Sequence, residues 1–174
     1  AFQNVGSIVW VFGEPYPNTA NTSLVDYYGH EKLAYYLVGE AYSPLHCSLQ
    51  YDSLLFQPGR PFCVTAYVHN DRLEEIKGLV EVEFKEYDGN SLGSVAFDGI
   101  AIKPQSRMRV GSAEVTLGTK PVTAVVRLIS QNRVHQNRYL FLPKTEERSH
   151  SIAAVEAFYD ETFTWALGQE QQKE

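Results

Sequence analysis

The chain has 174 residues, of which 44% are apolar, enough to bury a core and too many for an intrinsically disordered chain. Fifteen Lys and Arg against 21 Asp and Glu leave a formal net charge of −6, and no basic cluster of the kind that displaces counterions from phosphates is present, so no nucleic-acid partner is expected. No run approaches the ~18 apolar residues of a membrane-crossing helix, and no basic start leads into an apolar core, so neither a membrane partner nor a signal peptide is read here.

Residues 1–42 form a first compositional zone. Ile8, Val9, Trp10, Val11 and Phe12 are a continuous apolar run, which suits a strand buried on both faces in a parallel sheet. Gly13, Pro15 and Pro17 end it, because proline cannot continue a ladder. A polar loop over residues 18–23 and the stretch Tyr28-Gly29-His30 lead into a helix predicted from Glu31 to Ala41. Leu33, Tyr36, Leu37 and Ala41 recur on it at helical spacing. Such a βα unit implies a parallel sheet whose other strands are not in this chain. Left without neighbours, Ile8–Phe12 is expected to cover its edge and apolar surface with a sandwich edge, a second molecule or the C-terminal helix.

Residues 43–144 read as all-β. Strands are predicted over His46–Asp52, Phe62–Asn70, Leu79–Tyr87, Leu92–Lys103, Arg109–Leu117, Val122–Gln131 and Asn137–Pro143. Phe62, Val64, Ala66 and Val68 share one face of the second, and Val80, Val82 and Phe84 one face of the third. Asp88–Ser91 is a hairpin turn, and Gly93 and Gly99 are candidate bulges. About seven short strands with regular turns suggest an immunoglobulin-like β-sandwich, with a closed barrel as the alternative. Cys47 and Cys63 fall on strands without a metal spacing and are read as two buried free thiols, a disulfide being the alternative. Residues 145–174 carry a helix predicted over Ser151–Leu167, capped by Ser149 or Ser151, with Ile152, Val155, Phe158, Tyr159, Thr162, Phe163 and Leu167 near one stripe. Gly168–Glu174 is a polar tail.

Trp10, Phe12, Tyr16 and Glu14 are the best candidates for chemistry. An indole stacks on the C–H face of a sugar ring and a carboxylate accepts its hydroxyls, although Trp10 would equally fill a core. Glu14 and Asp26 are the local carboxylates, but nothing fixes their separation, and Asp26 suits a loop or cap role. His30, His46, His69, His135 and His150 are scattered without a zinc spacing, no serine elbow occurs, and no metal or other cofactor is expected.

The stretch "GSIVWVFGEPYPNTANTSLVDYYGHEKLAYYLVGEAYSP" (Gly6–Pro44) resembles the end of the catalytic barrel of glycoside hydrolase family 2. The resemblance lies in a strand ending in Trp10, a loop bearing Pro15 and Pro17, "DYYG" (Asp26–Gly29), Tyr35-Tyr36 and "YSP" (Tyr42–Pro44). "YVHND" (Tyr67–Asp71) is similar to the V-x-N-D turn after the second strand of the sandwich that follows that barrel, and "NRYLFLP" (Asn137–Pro143) to that sandwich's last strand. The resemblance implies a mainly β chain in three parts. Residues 1–42 would be the last βα unit of a (β/α)8 barrel, with residues 5–12 as its eighth strand; 43–144 the immunoglobulin-like β-sandwich; and 145–174 a C-terminal helix and tail. It further implies a retaining exo-acting β-glycosidase as the parent enzyme, and carbohydrate and the rest of the barrel as partners. The family's catalytic glutamates come from earlier barrel strands and have no counterpart here, so the chain by itself is expected to be inactive. Trp10 matches the family tryptophan on the floor of the sugar pocket, and Glu14 lies in the loop beside it. The rival reading is a non-catalytic sugar-binding or adhesion sandwich, with Tyr67, Tyr87 and Tyr139 as its candidate aromatics.

Overall fold

The computed structural model describes residues 7–18, 22–131, 133–144 and 149–170. Among these, helix α1 (Leu33–Ala41) precedes the strands β1 (Leu45–Gln50), β2 (Leu55–Phe56), β3 (Pro61–Asn70), β4 (Ile76–Glu86), β5 (Ser91–Ile102), β6 (Ser106–Thr116), β7 (Val122–Ser130) and β8 (Arg133–Pro143). Helix α2 (Ser149–Glu170) follows. The strands form a three-stranded sheet, β1-β3-β6, and a five-stranded sheet, β2-β8-β7-β4-β5. All pairings are antiparallel except the short one between β2 and β8. The chain is therefore mainly β with a C-terminal helix.

Side-chain alternation explains why the two sheets meet. Val64, Ala66 and Val68 of β3 and Leu45, Cys47 and Leu49 of β1 point inward from one sheet. Val80, Val82 and Phe84 of β4 and Ala124, Val126 and Leu128 of β7 point inward from the other. Each Val, Leu and Phe among them contributes about 1.5–3 kcal/mol by leaving water, and each Ala less. Both predicted glycine bulges occur on β5: the register against β4 slips beside Gly99 and beside Gly93. Their φ angles of 66° and 130° are ones a Cβ would oppose.

β7 is buried on both faces. Thr123 and Val125 point away from the inter-sheet core yet are buried, as is Gln136 on the neighbouring strand. Helix α2 packs on this side, against β8. Its buried residues are Ala154, Thr162 and Ala166, spaced by multiples of four, and Arg138 of β8 meets Glu161 on it. The expected stripe is corrected here: Ile152, Val155, Tyr159 and Leu167 are exposed, because small side chains let the helix approach the sheet closely. Ser151 is the third residue of the helix and does not cap it; the side chain of Ser149 and residues 171–174 of the tail lie outside the described residues.

Two further expectations are corrected. Cys63 is exposed, since on β3 the odd positions face outward, whereas Cys47 is buried; both are free thiols. Ile8–Phe12 is not a strand: among the described residues it has no sheet neighbour to hydrogen-bond it, and only Gly13 forms an isolated bridge, with Val25. Residues 5 and 6 of that expected strand, and 19–21 of the following loop, lie outside the described residues.

Candidate functional site

The segment carrying Trp10 is held by backbone bonds from the loop that follows it. Leu24 N donates to Phe12 O at 3.0 Å and Val25 N to the same carbonyl at 2.9 Å, while Lys32 N donates to Leu24 O at 2.9 Å. This lashes the segment to the start of α1. Between them, Asp26 organises the D-Y-Y-G turn. Its Oδ1 accepts from Tyr28 N at 2.8 Å and His30 N at 2.9 Å, and its Oδ2 lies 3.0 Å from His30 Nδ1. The His30 backbone bond above all holds the Asp26 carboxyl below its ordinary range. With both oxygens engaged, Asp26 orders a loop and is not poised as a catalytic acid.

Ile8 is 96% and Trp10 84% exposed, and Phe12, Tyr16 and Tyr28 are also exposed. Glu14 is half-buried. Among the described residues no bond or ring contact joins Trp10 to Glu14. The apolar segment meets the rest of the molecule on one side only. Phe12 packs edge-on against Tyr35 at 6.1 Å, and Tyr35 against Tyr36 at 5.3 Å. Tyr36 meets Phe163 of α2 at 6.0 Å, and Phe163 stacks on Tyr159. Among the described residues Ile8–Phe12 pairs with no sandwich edge and has no ring contact with α2, which the relay reaches only through α1, so the expected covering of Ile8 and Trp10 is not seen.

Below the relay, a cleft of about 1060 Å3 lies between the N-terminal segment, α1, α2 and one end of the sandwich. The first three contribute Phe12, Tyr35, Tyr36 and Trp165; the β3–β4 loop and the start of β8 contribute Arg72, Arg133 and His135. Glu40 closes the α1 end. Burial, then the charges of Arg72 and Arg133, hold the His135 imidazole below its ordinary value. His46, behind this end of the cleft, is likewise lowered, by burial and by His69, against a backbone hydrogen bond with Glu40. The sequence offers no cue to this grouping, because its members come from five separate parts of the chain and share no spacing. Among the described residues, no group of three or more His, Cys, Asp and Glu could hold a metal ion, and no helix is long and apolar enough to cross a membrane.

Two of the three aromatics of the rival reading, Tyr139 and Tyr67, have partners within the sandwich. Tyr139 Oη accepts from Leu49 N at 3.0 Å and from Asn137 Nδ2 at 2.9 Å, and burial pushes its phenol up to about 12. Arg107 covers the Tyr67 ring at 4.0 Å.

Residues 64–144 match the model of the Mannosidase Ig/CBM-like domain. A β-D-mannosidase of Dictyoglomus thermophilum is structurally similar, with 23% identity and a TM-score of 0.54 over 77% of this chain and 16% of that one. The sporulation control protein of Bacillus subtilis gives 13% identity and a TM-score of 0.45, covering 60% of this chain and 51% of that one. A superoxide reductase of Ignicoccus hospitalis gives 15% and 0.44, covering 60% and 85%. No curated protein matches the chain. The family match and the mannosidase likeness support a glycosidase-related immunoglobulin-like domain. The chain spans only 16% of that mannosidase's length.

Proposed function

We propose that the chain is the C-terminal accessory region of a retaining, exo-acting β-glycosidase of glycoside hydrolase family 2, which hydrolyses terminal β-linked sugars. In this reading residues 1–42 are the last βα unit of its (β/α)8 barrel, 43–144 the sandwich that braces it, and 145–174 the helix that buttresses the sandwich. The observation that carries it is the open apolar surface at Ile8 and Trp10, 96% and 84% exposed on a segment lashed to a helix that itself docks on the rest of the molecule. Large apolar side chains gathered on one surface mark a partner that covers them. Neighbouring barrel strands would cover Ile8 and leave Trp10 at the C-terminal end of its strand, where barrel active sites lie.

There the Trp10 indole face stacks against the sugar, and Glu14 accepts hydroxyls from the loop. Retention needs two carboxyl groups about 5–5.5 Å apart. Asp26 is committed to its own loop, and in this reading the acid/base and nucleophile come from earlier barrel strands. The isolated chain is inactive in this reading.

The test is made on the full enzyme encoded by the surrounding reading frame, against a panel of aryl β-glycosides. Trp10→Ala is expected to lower kcat/KM about 100-fold, about 2.7 kcal/mol, without shifting the melting temperature. Glu14→Gln is expected to cost about tenfold. A frame that encodes no βα repeats before this chain, or a Trp10→Ala enzyme with unchanged kcat/KM, overturns the reading.

A further inference from the structure

The cleft beside α1 has a composition that bracing alone does not require. Its cations are held in place. Asn70, fully buried at the end of β3, donates to the carbonyls of Glu74 and Lys103 at 2.9 and 3.0 Å and accepts from Arg72 N at 3.1 Å. Gln105 N donates to Arg72 O at 3.1 Å. The loop that presents Arg72 is thereby fixed from both sides. Arg133 is the first residue of β8.

Several cations of the sandwich meet carboxylates: Arg127 with Glu81 and Glu83, Arg138 with Glu161, and Lys120 with Glu86 and Asp88; Arg109 meets Ser112 and Arg107 the Tyr67 ring instead. Among the described residues the guanidiniums of Arg72 and Arg133 meet none. In a chain of net charge −6, two arginines against a single carboxylate leave the lining of this cleft with a surplus of positive charge. Glu40 is the one carboxylate in the lining. A neutral His135 beside them both donates and accepts hydrogen bonds, as sugar hydroxyls require.

Tyr35 and Trp165, both half-buried, bring aromatic surface to the same space, and edge-on packing against Phe12 and Tyr36 already fixes the Tyr35 ring, so little entropy is lost when a ligand arrives. The volume, about 1060 Å3, is at the upper end of ligand pockets. Aromatic faces suit pyranose rings, and guanidinium forks suit carboxylates in two-point contact.

We propose that this cleft is a non-catalytic saccharide site, separate from Trp10, that takes a uronic acid residue of an oligosaccharide, with Arg72 and Arg133 on the carboxylate and Trp165 and Tyr35 against the ring. It requires no barrel, so it stands or falls apart from the glycosidase reading.

The test is calorimetric titration of the whole chain with β-linked oligosaccharides of one length, either neutral or carrying uronic acids, and with acetate. Uronate oligosaccharides are expected to bind with a dissociation constant of about 1 mM or tighter, and the neutral series and acetate about tenfold or more weakly. Arg133→Ala and Arg72→Ala are each expected to weaken uronate binding about tenfold at unchanged melting temperature, and Trp165→Phe less than Trp165→Ala. Failure of uronates to saturate the chain, equal affinity for the neutral series, or arginine variants that bind like the parent chain each overturn the proposal.

Discussion

The Arg138 guanidinium donates to the Glu161 carboxylate at 2.7 Å and ties α2 to β8. The Arg138 side chain is 9% exposed and Glu161 is 51% exposed, so the pair straddles the seam between helix and sheet. Burial lowers the proton affinity of Arg138, and Glu161 opposes it. Its Nε is buried without a partner, so Arg138 has little to replace Glu161 with. Glu161→Ala is therefore expected to destabilise by about 1–3 kcal/mol, the range for a charged hydrogen bond lost from a poorly solvated partner. Arg138→Met, which removes the charge and keeps the packing, should cost less. Urea denaturation of both variants and the double variant checks this; equal losses for the two single variants would show that the contact only packs.

Gly78 makes a second prediction, about the five-stranded sheet. A Cβ there would lie 2.4 Å from the Ile129 carbonyl oxygen on β7. Backbone cannot give way as the end of a side chain can, so the β4–β7 ladder must open locally. Gly78→Ala is expected to cost about 2–4 kcal/mol. Gly118 has open space around its Cβ position and no left-handed φ, so Gly118→Ala should stay within about 0.5 kcal/mol of the parent chain. Thermal melts of the two variants side by side make the comparison.

The strand faces are legible in the sequence wherever one face alone is buried. On β3 and β4 the period of two picks out Val64, Ala66, Val68, Val80, Val82 and Phe84 without help from any other element. On β7 the same rule is insufficient, because burial of Thr123 and Val125 depends on a helix that comes later in the chain. The α2 stripe fails for a related reason. Counting apolar side chains favours Ile152, Val155 and Tyr159, but contact with a sheet is decided by fit, and Ala154 and Ala166 fit. Ile8–Phe12 has strand composition, yet a strand requires a hydrogen-bonding neighbour, and composition does not say which chain segment supplies it. Trp10 and Glu14 are candidates from the chemistry of an indole beside a carboxylate and from a family resemblance, and among the described residues no bond or ring contact joins them. The cleft arginines are not legible at all, since their shared position follows from tertiary closure.

The two thiols should separate sharply in reactivity. Cys47 Sγ sits 3.3 Å from the His135 carbonyl and 3.5 Å from that of Val126, and burial pushes its thiol up to about 12. Cys63 faces solvent. A thiol-directed chromogenic disulfide at about pH 8 is expected to modify Cys63 rapidly and Cys47 only as fast as the sandwich opens. Cys63→Ser should abolish the fast phase and leave stability unchanged, while Cys47→Ser, which places a hydroxyl in the core, should lower the melting temperature. Two fast thiols in the native chain would contradict the inward placement of Cys47.

Three histidines make stability depend on acidity. Burial first, then neighbouring positive groups, hold His46, His69 and His135 below the ordinary imidazole value of 6.5. His46 faces His69, the Glu40 backbone and Asn137; His69 faces Arg107, Asp71 and Ser48; His135 faces Arg72, Arg133 and His46. With folded values below unfolded ones, the unfolded chain binds more protons as pH falls through about 6.5, so stability is retained above that point and declines below it. The urea midpoint is expected to be flat between about pH 8 and 7 and to fall between about pH 6.5 and 5. Glutamine at all three positions should flatten the part of that fall nearest 6.5 and leave the later part, where carboxylates titrate, in place. A triple variant with the parent chain's pH profile would remove the imidazoles from the account and assign the whole decline to the carboxylates, Asp26 and Asp88 among them, whose hydrogen bonds hold them below their ordinary range.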